Sequence, residues 1–380
     1  MEILEEQLVP EQCLGEVEQA EASQDDSHQR VKDAHISTSP PMATILSVVE
    51  MESYAMQQLS PKAISYYVSA SDDEVTKHEN NQIFRSILLR PRVFVDCTKC
   101  SLATTILGNE VGLPIFVSPA ARARFGHPLG EAGIAAACSK LKALQIISKN
   151  ASMSPSEIVQ AGPSTTFAWQ LYVLKDIAAT ERTLAQIRRI PEIKFIVLTL
   201  DAPFPGKREA DERFKMAEVA SGGEPQAWGT QGSLTWHKTL DWLGKHTSLP
   251  IVLKGIQTWE DAYAATHFPS VKGIFISNHG GRALDTTTTP VQVLLEMRKF
   301  CPQVFDKVDV LIDGGIKRGT DVVKGLALGA KGVGIGRPAL YGLAVGGTEG
   351  VERVLQSELT PKIDHPFSHS KANKHHSLSR

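Results

Sequence analysis

The stretch Ile274-Phe-Ile-Ser277-Asn278-His279-Gly280-Gly281-Arg282 sets a proton acceptor and an anion clamp within four residues of each other. An imidazole exchanges a proton near neutral pH. A guanidinium is a fixed fork that matches a carboxylate, and the glycines between them let a ligand approach the backbone. A base beside a carboxylate clamp implies acid–base chemistry on a small carboxylic acid. The apolar run before it reads as a buried strand whose carboxyl end opens into a site. A strand end with a solvated His and Arg would look the same in isolation, so the other strand ends must be read with it.

Those ends are polar too. Ser148 closes one apolar run, Gln170 and Tyr172 lie two apart on another, and Thr199 and Asp201 two apart on a third. Residues two apart in a strand share a face. Lys254 ends a fifth run, and a buried lysine needs a partner anion or a use. Leu311-Ile-Asp313-Gly314-Gly315-Ile316-Lys317-Arg318 and Gly332-Val-Gly-Ile-Gly336-Arg337-Pro338 each read as strand, glycine turn and helix start. Backbone N–H groups at such turns, with Lys317 and Arg337 beside them, suit a phosphate.

The elements that would position these groups alternate along the chain. Candidate strands are Pro114–Val117, Leu144–Ile147, Ala168–Val173, Phe195–Leu200, Ile251–Lys254, Gly273–Ser277, Val308–Asp313 and Gly332–Ile335, separated by amphipathic stretches. Eight such units predict an α/β fold, a (β/α)8 TIM barrel. A doubly wound open sheet is the alternative, but it would place a glycine-rich turn where Ser118-Pro119-Ala120-Ala121 stands. Residues 43–67 carry an apolar period that predicts an N-terminal helical extension, with Ser60-Pro61 starting its second helix. A long loop is expected after the fourth barrel strand, from about 204 to 240, of the kind that forms a lid or stays disordered. Residues 1–40 read as a flexible acidic leader, 41–360 as the barrel domain, and 361–380 as a disordered His-, Lys- and Ser-rich tail.

The net charge of −2 gives no basic surface for nucleic acid. No apolar stretch is long enough to span a bilayer, and the acidic N-terminus lacks the order of a secretory signal. Cysteines 13, 97, 100, 138 and 301 have no framework spacing, and the lone Cys97/Cys100 pair lacks further metal ligands. Free thiols in a reducing, cytoplasmic compartment and no metal are expected.

Taken together, Tyr66-Tyr67, Ser118-Pro119-Ala120, Gln170-Leu-Tyr172, Thr199-Leu-Asp201-Ala-Pro, Arg208-Glu-Ala-Asp, Leu253-Lys254-Gly255, Ser277-Asn-His-Gly-Gly-Arg282, Asp313-Gly-Gly and Gly336-Arg337-Pro338 resemble the FMN-dependent α-hydroxy-acid dehydrogenase family, of glycolate oxidase and flavocytochrome lactate dehydrogenase type. The resemblance runs from about Pro41 to about Leu355, and no His-Pro-Gly-Gly haem motif accompanies it. It implies FMN across the barrel mouth, against the backbone of Pro119, Ala120 and Ala121. Ser148, Gln170, Thr199, Lys254 and Ser277 would hold the ring. Asp313, Gly315, Lys317, Gly336 and Arg337 would hold ribitol and phosphate. Tyr66, Arg208, Arg282 and Tyr172 would bind the substrate, with His279 as base, Asp201 behind it, and Lys254 stabilising the reduced flavin.

The implied reaction is oxidation of a small L-2-hydroxy acid to the 2-keto acid. Its electrons would pass to oxygen or to an electron-acceptor protein. A homotetramer is implied as well, and the family leaves mitochondrial or peroxisomal placement open beside the cytoplasm, although Ser-Leu-Ser-Arg380 does not match the usual peroxisomal tripeptide. Departures from the family pattern are Ala70 for a turn glycine, Lys317 for an arginine, and Asn150 and Pro205 for bulky apolar residues over the substrate. The C-terminal helix pattern also breaks at Leu359-Thr-Pro361. The Asn150 and Pro205 changes imply a roomier, more polar pocket. Two other readings stay open: a flavin- or nucleotide-using isomerase on a phosphate-binding barrel, and a flavin-binding remnant without turnover.

Overall fold

The computed structural model describes residues 40–96, 101–222 and 229–357. The leader, the Cys97/Cys100 pair, the break at Leu359 and the histidine-rich tail lie outside them. Ten strands occur among the described residues. A short hairpin, β1 Thr104–Ile106 and β2 Asn109–Val111, precedes eight parallel barrel strands. These are β3 Ile115–Val117, β4 Leu144–Ile147, β5 Thr166–Leu171, β6 Ile193–Thr199, β7 Ile251–Ile256, β8 Val271–Ile276, β9 Asp309–Ile312 and β10 Gly332–Ile335. They follow one another in chain order, and β10 pairs with β3 to close the barrel.

Barrel strands are covered on both faces, so they read as continuous apolar runs rather than alternating ones. Alternation survives in where each side chain points. Phe116, Leu144, Ile146, Ala168, Phe195, Val197, Val252, Phe275 and Leu311 form one cluster inside the barrel, with Ile106 and Val111 of the hairpin. Phe116 and Phe275 meet edge to face at 5.3 Å, and Phe116 occupies space opened by the inward glycines of β10, where a Cβ on Gly334 would come within 2.7 Å of its ring. The other apolar set faces the surrounding helices.

Period two then dictates what sits on top of that interior. Two residues beyond the last inward apolar side chain come Ser118, Ser148, Gln170, Thr199, Lys254, Ser277 and Asp313, all buried. One layer of polar groups is therefore laid across the carboxyl ends of seven strands.

The N-terminal segment covers this end. Ser47 caps the helix Val48–Gln58, and Ser60 caps Pro61–Val68 with proline in its first turn, as the Ser60-Pro61 reading required. A third helix, Val75–Ser86, begins where Asp285 accepts from Val75 N (3.1 Å) and Thr76 N (2.7 Å). The expected long loop after β6 is corrected in part: Glu209–Ala220 is helical. Three acidic residues in its first turn and the i,i+4 pairs Arg213–Glu209 (2.7 Å) and Lys215–Asp211 (2.8 Å) suit the helix. No described helix is long and apolar enough to cross a membrane.

Candidate active site

A cavity of about 890 Å³ opens at the polar end of the barrel. Its walls come from the strand ends, the loops that follow them, and the N-terminal helices. Most of the residues singled out in the sequence line it. Asp201, Thr199 and Ser277 stand behind the lining and reach the site through partners.

The loop after β8 is bent sharply. His279, Gly280 and Gly281 all have positive φ, at 60°, 65° and 76°. A Cβ on Gly281 would fall 2.7 Å from the backbone N of Lys77, so only glycine lets helix Val75–Ser86 pack there. Ser277 Oγ accepts from Lys254 Nζ (3.0 Å) and from the backbone N–H of His279 (3.2 Å), which ties the buried lysine to the bend. Asn278 and Asn80 exchange amide hydrogen bonds of 2.9 and 2.7 Å, locking the loop to the helix.

Out of this bend the His279 imidazole reaches two partners. Its Nδ1 lies 3.0 Å from Asp201 Oδ1, and its Nε2 lies 3.4 Å from the Tyr172 hydroxyl. Burial pushes the Asp201 carboxyl up, but the charges of His279 and Lys254 outweigh this and hold it below the usual carboxylate range. Burial, with Asp201 nearby, pushes the Tyr172 phenol above its usual range and keeps it a proton donor.

Three guanidiniums surround the Tyr66 ring: Arg282 at 5.2 Å, Arg208 at 5.4 Å and Arg122 at 6.0 Å from its centroid. Arg282 Nη1 caps the carboxyl end of helix Pro61–Val68 by donating to the carbonyls of Tyr66 (2.8 Å), Tyr67 (3.3 Å) and Ser69 (2.9 Å). That leaves its Nε and Nη2 donors for a ligand. Burial, together with Arg208 and Arg337, pulls Arg282 down to about 9, which marks a place short of negative charge. Arg208 pairs with Asp211 through Nη2 (2.7 Å), while its Nη1 is buried with no partner.

The residues expected to hold the cofactor fall into small hydrogen-bonded groups. Ser148 Oγ donates to Gln170 Oε1 (3.0 Å), and Gln170 Nε2 donates to Thr199 Oγ1 (3.1 Å). Ser118 Oγ donates to Asp313 Oδ2 (2.9 Å), while Asp313 Oδ1 is buried and unpartnered, free to accept from a polyol hydroxyl. Gly336 is open above Ser118, whose Cβ would lie 4.0 Å from an added Cβ, at the start of helix Arg337–Ser357, where a phosphate fits. Lys317 pairs with Glu52 at 2.8 Å. Arg337 also donates to the carbonyls of Tyr67 (2.9 Å), Ser69 (3.2 Å) and Gly280 (3.2 Å). Orphaned acceptor, open glycine and cationic end all fit a flavin mononucleotide.

Some contributors carried no signal in the sequence. Lys77, Asn80 and Asn81 buttress the β8 and β9 loops; Asn81 Nδ2 donates to Gly315 O at 2.7 Å. Glu131 is not among the residues singled out in the sequence. It is buried, and its Oε1 accepts from Ala123 N (3.0 Å) and Ser152 N (2.8 Å), joining the turns after β3 and β4.

Comparison with known proteins agrees with this geometry. A family model described as FMN-dependent dehydrogenase matches residues 55–363. The L-lactate dehydrogenase (cytochrome) of Saccharomyces cerevisiae is 39% identical over 341 residues, covering 83% of this chain and 57% of that protein. This chain thus spans less than two thirds of that relative's length. Glycolate oxidase 5 of Oryza sativa subsp. japonica is 38% identical, covering 83% of this chain and 89% of that one. The solved recombinant flavin-binding domain of baker's yeast flavocytochrome b2 superposes with a TM-score of 0.80 at 38% identity, over 86% of this chain and 84% of that one. With a closed eight-stranded barrel, a flavin-shaped set of donors and these matches, the chain belongs to the FMN-dependent dehydrogenase family.

Proposed function

We propose that this chain, with FMN bound, oxidises a small L-2-hydroxy acid to the 2-keto acid and passes the electrons to oxygen or another acceptor. The observation that carries the reading is the His279 imidazole set between Asp201 and Tyr172 in the same cavity as Arg282 and Arg208. The names of the yeast and rice relatives, a lactate dehydrogenase and a glycolate oxidase, support the substrate class.

Arg282 and Arg208 take the substrate carboxylate through donors not already spent on protein, with the Tyr66 hydroxyl beside them. Tyr172, held protonated, donates to the substrate oxygen. With Asp201 accepting from Nδ1–H, the His279 Nε2 lone pair is left to take a proton, and the buried carboxylate stabilises the imidazolium that forms. The proton comes from the α-carbon or from the hydroxyl. FMN, when bound, supplies the acceptor for the two electrons released from the substrate. Ser148, Gln170 and Thr199 would hold its ring, with the backbone of Pro119, Ala120 and Ala121 beside it. Lys254, held by Ser277, would supply a fixed cation to the charge the ring gains. Asp313, Gly315, Lys317, Gly336 and Arg337 would take ribitol and phosphate.

The test is the visible spectrum of the purified protein before and after anaerobic addition of 2-hydroxy acids. Flavin bands that bleach support the reading, and re-admitted air shows whether oxygen reoxidises them. A flavin that no hydroxy acid bleaches would favour a binding remnant instead.

A further inference from the structure

We infer that the substrate carries a second carboxylate, bound by Lys149 at the wall of the cavity and by Arg122, which stands behind that wall against the Tyr66 ring, so that the preferred 2-hydroxy acid is a four- or five-carbon diacid. This rests on the reaction proposed above and names its substrate class.

The wall is built and rigid. The turn after β3 and the turn after β4 are clamped together by the buried Glu131 carboxylate, which accepts from Ala123 N and Ser152 N. Arg122 N donates to Asn150 O (3.3 Å), and Arg124 N donates to Ser152 Oγ (3.1 Å). Lys149 N donates to Gln170 Oε1 (3.3 Å), and Asn150 N donates to Ser148 Oγ (3.2 Å). Arg122 is held at φ 56°, a conformation that costs a non-glycine residue energy and is kept where surroundings impose it. Its carbonyl accepts from the Tyr67 hydroxyl at 2.7 Å, which fixes it from the other side.

The charges on this wall are unspent. Lys149 and Asn150 line the cavity, and Arg122 lies over the Tyr66 and Phe125 rings, both of which are neutral. Among the described residues neither Arg122 nor Lys149 has a carboxylate at ion-pair distance, whereas Arg208, Lys215 and Lys317 each do. One substrate carboxylate answers Arg282 and Arg208. Lys149 on the wall and Arg122 behind it, both half-buried and without a carboxylate at ion-pair distance among the described residues, call for another.

The spacing fits a short diacid. Arg122 and Arg282 lie 6.0 and 5.2 Å from one ring centroid, so their guanidinium carbons are no more than about 11 Å apart. The terminal carbons of a four- or five-carbon diacid are roughly 4–5 Å apart when extended. Each carboxylate carbon sits about 4 Å from a guanidinium carbon in a charge-assisted pair. In line these reach about 12–13 Å, already beyond that upper bound, so a short diacid bridges the two cations at a bent approach and a longer one fits less well.

The test uses the FMN-loaded protein. Calorimetry compares 2-oxoglutarate with 2-oxopentanoate, which match in length and differ in the distal carboxylate. Stopped-flow flavin bleaching compares L-malate and L-2-hydroxyglutarate with L-lactate and L-2-hydroxybutyrate. The diacids should bind and react at about tenfold or more lower concentration. Arg122→Gly removes the cation at a position whose φ suits glycine, and Lys149→Met removes the other; each should collapse the diacid-to-monoacid affinity ratio several-fold. Diacids that bind no better than monoacids, or a ratio unmoved by both variants, overturn the inference while leaving the oxidation reading intact. If neither class bleaches the flavin, the oxidation reading fails, and the calorimetric ratio alone then decides the ligand's charge.

Discussion

The His279 Nδ1 lies 3.0 Å from Oδ1 of an Asp201 whose side chain is wholly buried. Gly255 makes this approach feasible. It has φ +102° at an irregularity in the β7–β8 pairing, and a Cβ there would fall 2.6 Å from the Asp201 Cβ. The aspartate thus rests on a bare stretch of backbone and faces one partner across the site. That arrangement fixes the imidazole tautomer, and several measurable consequences follow from it.

Asp201 stays ionised across the working range, because its pKa lies below the usual carboxylate value. His279→Gln should keep the flavin and lose its reduction by at least about a hundredfold, since a placed base contributes that much or more. Asp201→Asn should slow reduction too and move the acid limb of its pH profile to lower pH, because an imidazolium without its carboxylate releases its proton more readily. Stopped-flow reduction across pH 5–9 reads both. A histidine variant reduced at the parental rate would remove His279 from the role of base.

Lys254 is 3% exposed and held by Ser277. Lys254→Met should retain flavin but lower its reduction potential by about 30 mV or more, the two-electron equivalent of a tenfold change in equilibrium. Spectroelectrochemical titration measures this. An unchanged potential would place the lysine away from the flavin.

Gly255→Ala should destabilise the fold and the site together. The left-handed backbone costs about 1–3 kcal/mol for a side chain, and the added methyl must push Asp201 from His279. A lower denaturation midpoint with slower flavin reduction is expected. A loss of stability at the parental reduction rate would separate the bulge from the catalytic pair.

Asp285 links acid stability to the N-terminal cover. Burial raises its pKa, but the amides of Thr76, Thr286 and Val75 outweigh this and hold it below the usual range. A depressed carboxylate stabilises the fold above its unfolded pKa and loses that contribution as pH falls through the folded value. Asp285→Ala should therefore cost about 1–2 kcal/mol at neutral pH, the scale of a lost helix cap. The difference from the parent should shrink below about pH 4. Urea unfolding at pH 7 and pH 3 tests it, and an equal difference at both would mean the carboxylate charge does not matter.

How far the sequence reached follows from which forces act locally. Strand residues such as Val117-Ser118, Ile147-Ser148 and Leu253-Lys254 announce themselves because a period of two and a switch from apolar to polar are properties of neighbours in the chain. The same rule put Gln170 with Tyr172 and Thr199 with Asp201, and the Ser60-Pro61 helix start needed only local capping.

The third dimension decided what adjacent residues cannot encode. Helix Glu209–Ala220 occupies a stretch that reads as loop, and its packing against Pro61–Val68 brings Arg208 to the Tyr66 ring. Asn80 and Asn278 find each other across 198 residues, and buried Glu131 joins two turns that read as unrelated. The sequence alone determined the barrel and the chemical types at its mouth, because both depend on short-range patterning. Only the tertiary structure decided which cations are paired with protein carboxylates and which, like Arg122 and Lys149 among the described residues, are not, because charge pairing is settled by distance through space.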